Sequence, residues 1–356
     1  MHGAPHGGAP KALIIDTLVI APQWIGDAVM TEPLLRRLRA QGQRLCVGAL
    51  PWVAPVYRAM PQVAEVLELP FAHGGLQWRA RWALARQLRG RFARAYVCPN
   101  SFKSALLPAL SGIPERIGYH GEARYGVLTQ RLPSPPKHQR PPMVGWYSAL
   151  AGMPPGDDVP RLSLPSGHLA QTLARYGLQA QGYGVLAPGA EYGPAKRWPA
   201  ESFAAVAAAQ TRPVLLLGSG KEAALCAHIA QSAQALCHDG GRNGAPVRNL
   251  AGQTPLDDAL ALIAGARWLI SNDSGLMHVG AGFGVDQIAV FGSSSPLHTP
   301  PLNPKAQVLW LKNDPTYQPP LDCAPCFARD CPLGHTRCLV DITPQRVLAC
   351  LAAIAA

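Results

Sequence analysis

The chain has 356 residues, of which 48% are hydrophobic and 15% charged, with a formal net charge of +11. That length exceeds one ordinary core and suits two domains, while no apolar run approaches the roughly 20 residues of a membrane-spanning helix, which excludes a helical membrane protein and points to a soluble one. The charge is uneven: residues 1–170 hold 19 Lys and Arg against 9 Asp and Glu, residues 171–356 hold 13 against 12. A basic first half suits an anionic partner (nucleic acid, an anionic membrane surface or an acidic glycolipid) and equally suits a solvated arginine surface.

In chain order, residues 1–11 are mostly Gly, Pro, Ala and His without the basic start or cleavage site of a secretory signal, and read as a disordered leader. A strand over 12–21 leads into the turn Trp24-Ile25-Gly26-Asp27 and a helix over 28–40 with Leu34, Leu35 and Leu38 on one side. At such a turn Asp27 could take a proton from an attacking hydroxyl or simply cap the helix. The helix dipole keeps a carboxylate there ionised but also weakens it as a base. Strands follow at 44–50 and 95–98, and between them Trp78, Trp82, Ala85, Leu88 and Phe92 recur at helical spacing. The commoner reading makes these five residues core and the intervening arginines solvated; the other lays a basic amphipathic helix on anionic lipid. Asn100, Ser101 and Lys103, just past strand 95–98, are candidate acceptor contacts.

Nine prolines between 133 and 165 interrupt regular structure and suit an interdomain connection, with a helical stretch near 143–150. The expected lobes are therefore 12–170 and 171–342, with a C-terminal helix over 343–356 packing back on the first lobe. In the second lobe, strands at 184–187, 214–217, 268–271 and 287–291 each end in a loop of small residues. The first loop carries Lys196 and Arg197 before a helix over 202–209 with Ser202 as its cap. The second is Gly218-Ser219-Gly220-Lys221-Glu222, and the fourth is Gly292-Ser293-Ser294-Ser295. The third is Asn272-Asp273-Ser274-Gly275, with His278 one helical turn further. A helix N-terminus with free N–H groups and a glycine suits phosphate oxygens; the other reading makes Asp273 or Ser274 merely the cap of that helix. Four such loops in one lobe argue for a nucleotide pocket. Strands alternating with helices imply an α/β fold: two Rossmann-like lobes with parallel sheets facing a central cleft.

Nine cysteines in a chain without a signal sequence suit a reducing compartment. Cys46, Cys98, Cys226 and Cys237 lie singly in or beside apolar segments and read as ordinary thiols. Cys323, Cys326, Cys331 and Cys338 have chelate-like spacing compatible with tetrahedral zinc, and equally form a compact thiol-rich turn.

Taken in order, the segments 24–27, 100–106, 188–199 and 272–278 resemble the lipopolysaccharide ADP-heptose heptosyltransferases over nearly the whole chain from about residue 13. The Pro-Ala-Lys-Arg-Trp-Pro loop and the Cys-rich segment are similar to subgroup II. The resemblance implies GT-B architecture, with an acceptor lobe, a donor lobe and inversion at the anomeric carbon. It implies transfer of L-glycero-D-manno-heptose from ADP-heptose to the first heptose of the lipopolysaccharide inner core. By position, Asp27 becomes the general base, Lys196 a donor-phosphate contact, and Asp273, Ser274, Gly275 and His278 the rest of the donor site, with Thr254 near the adenosine. Glu191 and Tyr192 depart from the paired hydroxyl residues of subgroup I, so those contacts do not carry over. No cofactor is implied and no nucleic acid is expected. The expected setting is cytoplasmic, peripheral to the inner face of the membrane that presents the acceptor.

Overall fold

The computed structural model describes residues 16–72, 75–134, 141–153, 158–241 and 244–355. The leader 1–11, the start of the first strand, and Pro135, Pro136, Pro154 and Pro155 lie outside the described residues. Two six-stranded parallel sheets make up the frame. The first contains β1 (Thr17–Ile20), β2 (Leu45–Ala49), β3 (Val63–Glu68), β4 (Arg94–Val97), β5 (Glu115–Tyr119) and β6 (Gln130–Leu132), ordered β3-β2-β1-β4-β5-β6. The second contains β7 (Gly184–Ala187), β8 (Val214–Leu216), β9 (Val247–Asn249), β10 (Trp268–Asn272), β11 (Gln287–Val290) and β12 (Ala306–Leu309), ordered β12-β11-β10-β7-β8-β9. Thr17 pairs with Leu45 on one side and Arg94 on the other, and Trp268 pairs with Gly184. At Gly184 a Cβ would stand 2.0 Å from the indole of Trp268, so only glycine leaves room for that ring.

The helices are α1 (Ile25–Met30), α2 (Glu32–Ala40), α3 (Ala54–Arg58), α4 (Trp78–Leu88), α5 (Phe102–Leu110), α6 (Met143–Ser148) and α7 (His168–Tyr176). Then follow α8 (Ala200–Ala208), α9 (Ala223–Asp239), α10 (Leu256–Ala264), α11 (Gly275–Gly282), α12 (Arg337–Val340) and α13 (Pro344–Ala355). The single helix expected over 28–40 is two. Pro33 stands in the first turn of α2, where its missing N–H costs nothing and its fixed φ starts a new helix. α1 begins at Ile25, so Asp27 lies in a helical turn and Trp24, without a side-chain cap, precedes it. Ser202 is likewise inside α8, whose N-cap is Pro199.

Two further expectations are corrected. α13 packs on α8 and β11, with Val347 and Leu351 in the apolar core of the second lobe and not against the first. α4 is rotated from the expected stripe: Leu84, Ala85, Leu88 and Phe92 are buried, but Trp78 and Trp82 are 50% and 46% exposed and Arg81 takes the inward place. The Arg81 guanidinium lies 4.1 Å from the Phe71 ring centroid, and its Nε donates to the Leu76 carbonyl at 2.7 Å. A flat cation over a ring can replace an apolar residue there.

The connection is strapped to both lobes. Arg37 pairs with Asp158 at 2.6 Å, Arg36 donates to the Val159 carbonyl, and the buried Glu32 carboxylate accepts from the Arg161 N–H and from Gln62. Leu162 N–H then donates to the Gly282 carbonyl and Ser163 N–H to that of Ala59. α7 begins before the expected boundary at 170/171 and packs on α10 of the second lobe. One apolar cluster runs through both lobes, from Val19 and Val47 to Val185, Leu260 and Val279, and α1 packs against α11 across the seam. Among the described residues no helix is long and apolar enough to cross a membrane.

Candidate functional site

In an open parallel sheet, ligands bind beyond the carboxyl ends of the strands, where the strand order reverses. The reversal falls between β1 and β4 in the first sheet and between β7 and β10 in the second. Asp27 follows β1, Lys196 follows β7, and Asp273, Ser274 and His278 follow β10. The two crevices meet at the α1–α11 seam. A Cβ on Gly26 would stand 2.8 Å from His278 Cδ2, and a Cβ on Gly275 would stand 2.8 Å from Ile25 Cβ. Two glycines thus let the two helix N-termini touch.

Lys196 Nζ donates to Asp273 Oδ2 at 2.5 Å. Asp27 feels both groups: burial pushes its carboxyl up to about 6, with Lys196 opposing the rise and Asp273 adding to it. The conflict left open by the helix dipole is thereby resolved toward a stronger base, since desolvation outweighs what favours the anion. At neutral pH the group is still ionised. Burial lowers His278 to about 4, so its imidazole is neutral and offers hydrogen bonding without charge.

Neither candidate cap in the turn 272–275 acts as one. Ser274 is the N-cap residue of α11 but makes no capping bond, and its buried hydroxyl has no partner in the protein. Asp273 is occupied with Lys196. The N–H groups of the first turn of α11 lack helical partners, as at any helix start. The buried hydroxyls of Ser293 and Ser294, in the loop after β11, are also without a protein partner.

The loop carrying Lys196 is held at both ends by a residue whose individual role the sequence did not reveal. Asn272 accepts from the Trp198 N–H at 2.9 Å and donates to the Pro188 carbonyl at 2.7 Å. Its middle rests on the Cys-rich segment: Ala195 N–H donates to Arg329, Tyr192 hydroxyl to Phe327, and Phe327 N–H to Ser293. Cys323, Cys326, Cys331 and Cys338 line one small cavity with Ala195 and Ser293. Among the described residues no group of three or more His, Cys, Asp or Glu side chains is disposed to hold a metal ion. Cys46, Cys98, Cys226 and Cys237 are buried and free.

Thr254 Oγ1 donates to the Leu250 carbonyl at 3.2 Å, and its loop meets the glycine loop 218–222 where Gly252 approaches Gly220. On the first lobe, Ser101 and Lys103 line a crevice with Gln23 and Arg81, whereas the Asn100 side chain accepts from Arg124 and is absent from that lining.

Two parallel α/β lobes that meet where the strand order of each sheet reverses have the architecture of GT-B glycosyltransferases. The chain belongs to glycosyltransferase family 9, the heptosyltransferases, whose family model matches residues 81–336. It is 38% identical to lipopolysaccharide heptosyltransferase 2 of Escherichia coli (strain K12), over 93% of this chain and 96% of that one. It is 35% identical to lipooligosaccharide heptosyltransferase 2 of Haemophilus ducreyi, over 93% and 97% respectively. The solved structure of Escherichia coli ADP-heptose lipopolysaccharide heptosyltransferase II superposes with a TM-score of 0.79 at 36% identity, covering 95% of this chain and 98% of that one.

If Asp27 acts as the base, kcat/KM of the free enzyme rises with pH through about 6. Lys196→Ala moves that midpoint up, because it removes the charge that favours the carboxylate, and Asp273→Asn moves it down. Shifts in the opposite directions, read from pH–rate profiles, would remove Asp27 from the role.

Proposed function

We propose that this chain transfers L-glycero-D-manno-heptose from ADP-heptose to the first heptose of the lipopolysaccharide inner core, with inversion. The observation that carries the reading is the meeting of Asp27 with Lys196, Asp273 and His278 across the lobes of a chain related along nearly its whole length to heptosyltransferases 2. In this mechanism Asp27 removes the proton of the acceptor hydroxyl as its oxygen attacks the anomeric carbon. The bond from that carbon to the diphosphate breaks on the opposite face, and ADP leaves with the electron pair. Lys196, oriented by Asp273, uses its remaining N–H donors on the growing negative charge, alongside the N-terminus of α11 and the Ser274 hydroxyl. The neutral His278 can hydrogen-bond the donor without competing for Lys196. Thr254 and the loop beside it are assigned to the adenosine end.

No cofactor is needed in this scheme, since the leaving group is stabilised by protein cations and dipoles. The four C-terminal thiols are assigned a bracing role for the Lys196 loop, whether or not zinc links them. The membrane-facing surface is assigned to α4, where Trp78 and Trp82 share an outward arc with Arg79, Arg86 and Arg89. Tryptophan at the headgroup level beside arginines on anionic lipid is a favourable pairing.

Three measurements test these readings. Incubated with ADP-heptose and purified cores bearing zero, one or two heptoses, the protein extends the one-heptose core, and Asp27→Asn slows that turnover by roughly 100- to 10,000-fold while remaining folded; no product on the one-heptose core defeats the assignment. After removal of metal by a chelator, turnover stays within about 2-fold, as expected when no ion takes part in leaving-group stabilisation; complete loss restored by zinc would overturn the cofactor-free scheme. Sedimentation with vesicles containing anionic phosphatidylglycerol falls by roughly 10-fold or more when Trp78 and Trp82 are both replaced by Ser, by the loss of two interfacial aromatics; unchanged sedimentation would reject α4 as the contact.

A further inference from the structure

The inward side of α4 faces a feature that the transfer reaction above leaves unused. A crevice of about 100 Å³ lies beyond the carboxyl ends of β1, β2 and β4. Its apolar wall is Leu50, Leu69, Phe71 and Leu107; its polar lining includes Gln23, Arg81, Ser101 and Lys103. Arg81 is only 7% exposed, yet it pairs with no carboxylate among the described residues. Its Nε is spent on Leu76 and its face on Phe71, which leaves the Nη groups for the crevice. Burial alone lowers its pKa, with no acidic neighbour to offset it.

A buried guanidinium without a counter-anion is costly, and proteins ordinarily pair such a charge. Phe71 and one carbonyl compensate only part of that cost. Lys103 brings a second cation to the same space, at the start of α5, whose N-terminal dipole end carries the same sign. Gln23 and Ala21, which also line the crevice, belong to the short segment between β1 and the Asp27 turn. A ligand seated here therefore lies against the segment that leads from β1 into the Asp27 turn.

We propose that Arg81 and Lys103 form an anion subsite that seats a carboxylate or phosphate of the sugar acceptor and so presents its hydroxyl to Asp27. The inference rests on the transferase reading above and adds to it a determinant of acceptor choice. Arg81 takes the anion through its two Nη groups in the bidentate manner of guanidinium with carboxylate or phosphate. Lys103 serves as a point charge at the other side of the crevice, and the apolar wall receives the ring face of the sugar. The donor lobe contributes nothing to this subsite, so donor and acceptor affinities separate.

The test is steady-state kinetics with ADP-heptose and three forms of the one-heptose core: intact, enzymatically dephosphorylated, and with its carboxylates reduced to alcohols. Arg81→Gln raises the KM of intact core by roughly 10- to 100-fold, as loss of a charge-assisted pair implies, and leaves the KM of ADP-heptose within about 2-fold. Lys103→Gln changes the same parameter in the same direction, and Arg81→Lys recovers part of the loss. The core form that lacks the bound anion shows the raised KM already with the unaltered protein, and Arg81→Gln adds nothing further. Whether that is the dephosphorylated or the reduced core identifies the anion. An unchanged KM for intact core in both Gln variants, or an equal rise for all three core forms, overturns the subsite. If Arg81→Gln fails to fold by circular dichroism, Lys103→Gln decides alone by the same criterion. If the unaltered protein makes no product, the transferase reading fails instead, and calorimetric titration of intact core into the protein and into Lys103→Gln still tests the subsite: equal affinity for both overturns it.

Discussion

The contact between the N-terminal ends of α1 and α11 is the constraint on which the rest of the site depends. Gly26 and Gly275 allow it, because a Cβ at either position would enter His278 or Ile25 of the facing helix. Close approach of two helix starts concentrates two positive dipole ends in one small volume. Into that volume the chain places two carboxylates, one ammonium and one imidazole that stays neutral. The lobes are further tied by the strap at 158–163 and by an apolar cluster common to both, so the contact is one end of a broad seam. The exposed Arg58–Asp257 pair at 3.6 Å also bridges the lobes but is too solvated to matter much.

The electrostatics of the seam follow from burial more than from charge pairing. For Asp27, the dipole of α1 and the nearby Lys196 both favour the anion, yet desolvation is the largest influence and the carboxyl rises. For His278 the same burial acts in the opposite direction and keeps the ring neutral. One cause thus produces both a carboxylate that can take a proton and an imidazole that does not repel Lys196. Asp273 sits in the same volume and holds Lys196 through one N–H. Asn272 and the segment 327–329 hold the loop that makes this geometry repeatable.

The central strands were legible because they are buried on both faces and read as short apolar runs; β1, β2, β7, β8, β10 and β11 are buried along their length. The outer strands β3, β9 and β12 carry mixed, partly exposed residues and have no such signature. Small-residue loops at strand ends were visible as glycine and serine runs, and the structure brings two of them together where Lys196 meets Asp273. Asn272 was visible only as a neighbour of Asp273, because two hydrogen bonds to distant backbone groups leave no local trace in a sequence. The rotation of α4 was hidden for a related reason. Arginine and tryptophan both have mixed apolar and polar character, and periodicity alone does not say which of them turns inward.

That rotation bears on how the first half of the chain uses its charge. Most of its arginines are at the surface or paired, as Arg37, Arg91 and Arg94 are with Asp158, Glu65 and Glu115. Arg81 and Arg124 differ: Arg124 is buried but donates to the Pro99 and Tyr119 carbonyls and to Asn100, whereas Arg81 is buried against Phe71, where an apolar side chain would cost less desolvation. Stability alone favours leucine there, and the stripe Leu84, Ala85, Leu88 shows that the helix supplies such residues when packing is the sole demand. A cation retained at such a site is best understood through a bound anion that completes it. α4 then serves two partners at once, with Arg81 turned toward an acidic sugar and Trp78 and Trp82 toward the surface on which that sugar is anchored. A helix of eleven residues, with its two faces separated by the chemistry of one arginine, would set the distance between acceptor hydroxyl and membrane plane.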